Sequence, residues 1–313
     1  MSVSAPASLG CLPFSGHEIK KLGNRLRDGS ADTADIEMLE RWRESYDPLL
    51  ISMSGQVSEI LGAKNFQFML SGRSKRTKSV LRKLTRQDNY GMDLSRMSDV
   101  VGFRIILASL AEQDRALQLL GTSLDQKKSY DYRTGDKLYR AVHIVVRNEP
   151  RFVEIQLRTL PQHVWAVESE TFGEQVKEGR LMGEVGKYLR VLSLACAELD
   201  AGKDVRDEHY IGTPLIEERL PISGFYDRLS QQFAKATEQA KTDDAGKTFL
   251  VVFDNELRQL MHNDEFMADN RAAALERYRW LSHTLGDRVH LETLIFNSSS
   301  SEALAVTHPR FFE

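Results

Sequence analysis

The sequence predicts an α/β fold: a mixed β-sheet flanked by helices, with a helical N-terminal part and a smaller C-terminal α/β extension. Three observations carry this. Residues 66–84 read strand, glycine, helix. Residues 139–159 alternate apolar and polar on both sides of Asn148-Glu149-Pro150, as a hairpin does. Residues 248–296 give a strand, helices and a second strand, which suggests a further small α/β layer. The 313 residues suffice for one large domain or two ordinary ones. The expected division is a helical segment over 1–62 packed on the core, a core over 63–186 and an extension over 187–313.

Composition narrows the class. Hydrophobic residues make up 41% and charged residues 28%, as in an ordinary globular chain. The net charge of −3 argues against a global basic field, so any anion site is local. Cys11 and Cys196 are the only cysteines, which excludes a disulfide framework and suits a reducing compartment. No apolar run approaches the roughly 20 residues of a membrane span. Met1 to Gly10 lacks the charge and apolar core of a secretory signal. The expectation is a cytoplasmic protein.

The elements follow from local signals. Residues 1–14 form a polar arm. Ile19, Leu22 and Leu26 recur at helical spacing, and Asp28-Gly29-Ser30 stops that helix. Ala31 to Asp35 starts another, through Ile36, Leu39, Trp42 and Tyr46. Pro48 begins a third that runs to Leu61. Phe66 to Leu70 is a strand, followed by a helix expected to carry Lys75, Ser79 and Lys83 on one face. Val100 to Leu107 is a buried strand, and 111–121 is a helix. Residues 127–138 read as a polar loop before the hairpin strands Tyr139–Arg147 and Phe152–Thr159. Pro161 opens a helix, 173–186 is a glycine-dotted hinge, and Tyr188–Leu199 is helical. Residues 200–223 are irregular, and 226–241 read as a polar helix. A turn at 243–246 leads to the strand Thr248–Phe253. Helices around Leu257–Met261 and Met267–Leu285 precede a last strand, Val289–Phe296. The closing His308-Pro309-Arg310-Phe311-Phe312 offers two aromatics for docking.

Chemistry concentrates in residues 72–158. Arg73, Lys75, Arg76, Lys78, Arg82, Lys83 and Arg86 are cationic, and no acid falls between Gly72 and Gln87. A strand–glycine–helix setting adds backbone N–H donors to those cations, which is how phosphate is held; a solvated basic helix is the plainer alternative. Asp99, at the mouth of a strand, is a candidate magnesium ligand or a partner for Arg104. Alternation sends Val142, Ile144, Val146, Val153, Ile155 and Leu157 to the core. The opposite face carries Tyr139, His143, Glu154, Gln156 and Arg158, a set that suits ligand binding better than solvation. There is no Walker loop, no His-x-x-x-His pair and no Gly-x-Ser-x-Gly elbow.

In order, Gly72-Arg73-x-Lys75-x-x-x-Ser79-x-x-x-Lys83, Asp99-x-x-Gly102-x-Arg104-Ile105, Tyr139-Arg140-Ala141-Val142-His143 and Glu154-Ile155-Gln156-Leu157-Arg158-Thr159 resemble the synthetase domain of the RelA/SpoT family, which makes the alarmones (p)ppGpp. The resemblance is to a stand-alone synthetase branch with a C-terminal extension. It implies a nucleotidyltransferase-like core and transfer of pyrophosphate from ATP to the 3′-hydroxyl of GDP or GTP, releasing AMP, as in the stringent response. It implies that Arg73, Lys75, Ser79 and Lys83 hold the ATP phosphates, with Arg73 and Arg104 near the adenine. Asp99 and Glu154 would bind Mg²⁺, and Glu154 is also a candidate to help deprotonate the acceptor hydroxyl. Tyr139 would stack on the acceptor base. Arg140, His143, Gln156 and Arg158 would complete the acceptor side. The resemblance also implies a chain that makes the product without degrading it.

The chain departs from its apparent relatives before Tyr139. Arg133-Thr134-Gly135-Asp136-Lys137-Leu138 is shorter than the usual loop, and Leu138 replaces a glycine. That departure keeps open a related activity on the tRNA 3′ end or on adenosine nucleotides. A non-catalytic nucleotide-binding module is a further alternative. The helical flanks and terminal aromatics leave room for a homo-oligomer.

Overall fold

The structure is a computed structural model. It describes residues 12–86, 91–134, 138–148, 150–172, 183–203, 230–235, 237–238, 247–285, 288 and 290–312. Residues 1–11 of the expected 1–14 arm, most of the 173–186 hinge, residues 204–229, the 243–246 turn and Lys137 lie outside the described residues.

Three helices open the chain, each with a local reason to start or stop. In α1 (Gly16–Asp28), Ser15 and Glu18 form a reciprocal capping box, and Gly29 closes the helix at φ 71°. In α2 (Thr33–Glu44), Asp32 and Asp35 do the same. Pro48 sits in the first turn of α3 (Asp47–Gly62), where its missing N–H costs nothing. Then come β1 (Phe68–Ser74), α4 (Thr77–Thr85), β2 (Val101–Leu107), α5 (Leu110–Ser123) and β3 (Gln126–Asp131). The predicted hairpin is β4 (Val142–Asn148) and β5 (Arg151–Thr159), antiparallel with Ile144 opposite Ile155. Next are α6 (Leu160–Thr171), α7 (Gly183–Asp200), β6 (Lys247–Asp254), β7 (Gln259–Phe266), α8 (Arg271–Thr284), β8 (Leu291–Ser298) and α9 (Ser301–Thr307).

All eight strands form one mixed sheet in the order β3-β4-β5-β2-β1-β8-β6-β7. Strand β2 runs parallel to β5 and antiparallel to β1. The extension therefore continues the sheet rather than forming a second layer: β8 pairs with the free edge of β1, placing Arg73 opposite Phe296.

Local readings fail in four places. Residues 127–131 of the expected 127–138 loop belong to edge strand β3, because β4 supplies a pairing partner that no local pattern announces. Residues 257–261, expected as helix, give a turn and the start of β7, paired to β6. Lys75 lies ahead of α4, not on its face, since β1 stays extended through Ser74. Tyr139 precedes β4 rather than opening it.

One sheet face buries a core with the helices. Leu22, Leu39, Leu50, Phe103, Ile105, Ile144, Leu157, Leu250 and Ile295 belong to a single apolar cluster that spans both halves of the sheet. Gly72 belongs to this face: a Cβ there would lie 2.4 Å from the Phe103 ring and 2.8 Å from Leu50 Cδ1. The opposite face is divided. Over β6 and β8 it is apolar, with Phe249, Val251, Phe253, Leu294 and Phe296 packed against Leu304 and Phe311. Over β1 and β2 an apolar cluster of Met69, Ile106, Leu160 and Val306 covers one end, and the polar side chains of β4, β5, β2 and β1 beside it form the candidate site.

Candidate active site

The site face follows from register. Gly102 stands opposite Glu154 and Arg104 opposite Gln156 across β2–β5, while His143 stands opposite Gln156 across β4–β5. Side chains two apart on a strand share a face. His143, Glu154, Gln156, Arg158, Arg104 and Arg73 therefore project from the same side of the sheet.

On the donor side, Lys75 Nζ and Lys83 Nζ both donate to Asp99 Oδ2, at 2.7 and 2.8 Å. Burial opposes ionisation of Asp99, but the two ammonium groups outweigh it and hold the carboxyl below the usual range. The sequence joins Lys75 and Lys83 by helical spacing; the structure joins them through Asp99 instead. Ser79 lies one turn before Lys83 on α4. Arg104 donates to Glu170 Oε1 at 2.5 Å and to the Thr307 carbonyl at 3.1 Å. Burial, with Arg104 nearby, pushes Arg73 down to about 10, so it remains a cation at neutral pH.

On the other side, five side chains close a ring of contacts. Arg158 Nη2 donates to Tyr139 Oη at 3.0 Å and to Gln156 Oε1 at 2.9 Å. Gln156 Nε2 donates to Glu154 Oε2 at 2.8 Å. Tyr139 Oη lies 2.6 Å from His143 Nε2, and His143 Nδ1 lies 3.4 Å from Glu154 Oε1. The Tyr139 oxygen also accepts from Arg158, and the direction of its bond with His143 follows the imidazole tautomer. Burial raises Glu154, but His143 and Gln156 outweigh it and the carboxyl falls below its ordinary value; Asp99 opposes that fall through space.

Arg140 does not join the ring. Its Nη1 donates to the Arg133 carbonyl at 3.0 Å. The Tyr139 ring is packed by Arg158, Tyr132, His143 and Trp165. Sequence reasoning missed Glu170, the partner of Arg104, and Tyr130 and Tyr132, which stack at 6.2 Å with 14° between planes. The alternation Lys128-x-Tyr130-x-Tyr132 was the available signal.

Two observations bear on a metal. Asp99 Oδ1 is buried without a hydrogen-bond partner. Among the described residues no group of three or more His, Cys, Asp or Glu could enclose an ion. The unpartnered Asp99 oxygen fits Mg²⁺, which takes one or two carboxylates and completes its shell with water and substrate oxygens. Arg158 is only 4% exposed, yet its Nε and Nη1 also lack partners, which leaves donors for an anion. Among the described residues no helix is long and apolar enough to cross a membrane.

Cations gathered around two carboxylates, Glu154 on the sheet face and Asp99 just ahead of β2, suit a ligand that carries phosphates. Residues 72–172, which contain every side chain of this site, match the family model described as the region found in RelA / SpoT proteins. An uncharacterized protein of Mycobacterium tuberculosis is 26% identical over 210 residues, covering 60% of this chain and 74% of its own length. A GTP pyrophosphokinase rsh of Brucella melitensis is 28% identical over 147 residues, covering 45% of this chain and 19% of its own length. The small alarmone synthetase 1 from Bacillus subtilis is 24% identical, with a TM-score of 0.44 over 50% of this chain and 89% of its own.

Proposed function

We propose that the protein transfers pyrophosphate from ATP to the 3′-hydroxyl of GDP or GTP, giving (p)ppGpp and AMP, with Mg²⁺ bound. The observation that carries this reading is that Asp99, just ahead of β2 and held by Lys75 and Lys83, acts electrostatically on Glu154, which is flanked by His143 and Gln156 on the sheet face. The RelA/SpoT match over the same residues supports it, as does the likeness to a protein named a GTP pyrophosphokinase.

Transfer of this kind needs positioning and charge neutralisation more than covalent chemistry. In the proposed complex Asp99 and Glu154 hold the ion, which neutralises charge on the phosphate oxygens when bound. Lys75 and Lys83 turn from Asp99 toward the phosphates, with Ser79 beside them. Arg73 and Arg104 flank the adenine end. His143, Gln156 and Arg158 orient the acceptor, with Arg158 offering its unpartnered donors to a phosphate; Tyr139 and Arg140 complete that side. Glu154 is also placed to take the acceptor proton.

The test is product identification by mass after incubation with ATP, Mg²⁺ and a mixture of GDP, GTP, adenosine nucleotides and tRNA. AMP together with a guanosine nucleotide heavier by one pyrophosphate is expected. Label on tRNA or on an adenosine nucleotide alone would move the acceptor assignment. Nucleotide binding without turnover would leave a binding module.

A further inference from the structure

Arg133, Leu138 and Ser193 have no place in the reading above. The first two bound the stretch 133–138 where the sequence departs from its apparent relatives, and two helices hold them. On the α5 side, Arg133 Nη1 donates to Asp114 Oδ1 at 2.6 Å and to Gln113 Oε1 at 3.2 Å, while Nη2 donates to Asp131 Oδ2 at 2.7 Å. Gln113 is fully buried and is itself tied to β5, its Nε2 donating to the Leu157 carbonyl at 2.9 Å. On the α7 side, the buried Ser193 Oγ donates to the Leu138 carbonyl at 2.9 Å. The Leu138 and Tyr139 side chains pack against the apolar cluster of Trp165, Tyr188, Leu189 and Leu192 on α6 and α7. Arg140 ties the two ends together, its Nη1 donating to the Arg133 carbonyl at 3.0 Å.

From this we infer that Arg133, Leu138 and Ser193 are positioning residues for the acceptor. They anchor the chain on both sides of the departure, so that Tyr139 stands against Arg158 and His143, the groups that lead to Glu154. The inference rests on the pyrophosphate-transfer reading for the identity of the ligand. The need for anchors is physical. Tyr139 lies ahead of β4, so the strand ladder does not set its place. A leucine at 138 drives its side chain into the α6–α7 cluster, whereas a glycine would leave the backbone free to turn. Ser193 then fixes the carbonyl that the buried side chain brings to it. Helix α7 thereby belongs to the acceptor side, although it lies beyond the 72–172 family match.

Steady-state kinetics with GDP varied at saturating ATP and Mg²⁺ test this. Ser193→Ala should raise the GDP KM by about 2- to 12-fold, the range of one lost hydrogen bond. Leu138→Gly should raise it by about 10-fold or more, because it loses the apolar contact and frees the backbone. Arg133→Lys keeps the charge but not the fork, so its GDP KM should fall between those of wild type and Arg133→Ala. The ATP KM should hold in every variant. A merely structural role would shrink the active fraction, which lowers kcat and leaves both KM values unchanged, and that outcome overturns the inference. So does an equal rise in the ATP KM. Hydrogen exchange without nucleotide reads the anchoring alone. The Tyr132 amide, which donates to the Ala141 carbonyl at 2.9 Å, should exchange faster in Leu138→Gly and Ser193→Ala than in wild type, while the amides of β1 and β2 hold. Unchanged exchange overturns the anchoring. If the wild-type chain releases no AMP with any acceptor, the transfer reading fails, and the exchange result still decides whether these residues hold the segment.

Discussion

Glu292 Oε2 accepts a hydrogen bond from Arg76 Nη1 at 2.5 Å, so the last strand of the extension holds the residue that caps α4. Glu292 is only 6% exposed, and Asn255 Nδ2 donates to the same oxygen at 3.2 Å. The extension is built into the proposed donor side in a second way, through the Thr307 carbonyl that accepts from Arg104.

Glu292→Gln should therefore destabilise the fold. It replaces a charge-assisted bond with a neutral one and leaves the Arg76 cation short of its partner. The expected loss is about 1–3 kcal/mol, read as a lower urea midpoint at unchanged m. An unchanged midpoint would show that the pair contributes nothing net.

Gly72→Ala should also destabilise, through crowding rather than electrostatics. The new Cβ meets the Phe103 ring at 2.4 Å and Leu50 Cδ1 at 2.8 Å, and both side chains are buried in the core. Overpacking of this kind costs about 1–3 kcal/mol. Thermal unfolding of the variant against wild type measures it.

Asp47 gives the fold a pH dependence. It is fully buried, and Ser74 Oγ donates to its Oδ1 at 2.7 Å. Burial pushes its carboxyl up to about 6, against the pull of Arg43 and Ser74. The folded chain thus holds this proton where the unfolded chain has lost it, so the contribution of Asp47 to stability falls as pH rises from about 4 through 6. A shift of that size corresponds to about 3 kcal/mol. Asp47→Asn removes the titration. The stability of wild type minus that of the variant should therefore drop by about this amount between pH 4 and pH 7, and a flat difference would refute the assignment.

Under the proposed function, Glu154→Gln should lower kcat by about 100-fold or more while ATP binding survives. Gln keeps the shape that meets Gln156 and His143 but loses the charge. Chelation of divalent ions should abolish turnover in the wild type, and added Mg²⁺ should restore it. Product formation by Glu154→Gln at the wild-type rate would remove Glu154 from the reaction.

Much of the architecture was legible because its causes are local. The Ser15–Glu18 and Asp32–Asp35 capping boxes, Gly29, Pro48 and the Asn148–Pro150 turn are chemical punctuation carried within a few residues. The faces of β4 and β5 followed from period two, and they correctly sent Ile144 and Ile155 inward and His143, Glu154 and Gln156 outward. The polar loop expected at 127–138 and the helix expected at 257–261 failed for one reason. Both β3 and β7 are edge strands, exposed enough to lack an apolar signal, and each is strand only because a distant neighbour pairs with it.

By itself the sequence determined the helices, the hairpin, the inward faces and the ordered set of cations, carboxylates and aromatics, since each depends on neighbours in the chain. Only the tertiary structure decided that β8 closes onto β1 to make one sheet, that Asp99 gathers Lys75 and Lys83, that Glu170 and Thr307 hold Arg104, and that Tyr130 and Tyr132 stack on β3. Those are pairings between residues far apart in sequence, fixed by strand register and packing, and no local period encodes them.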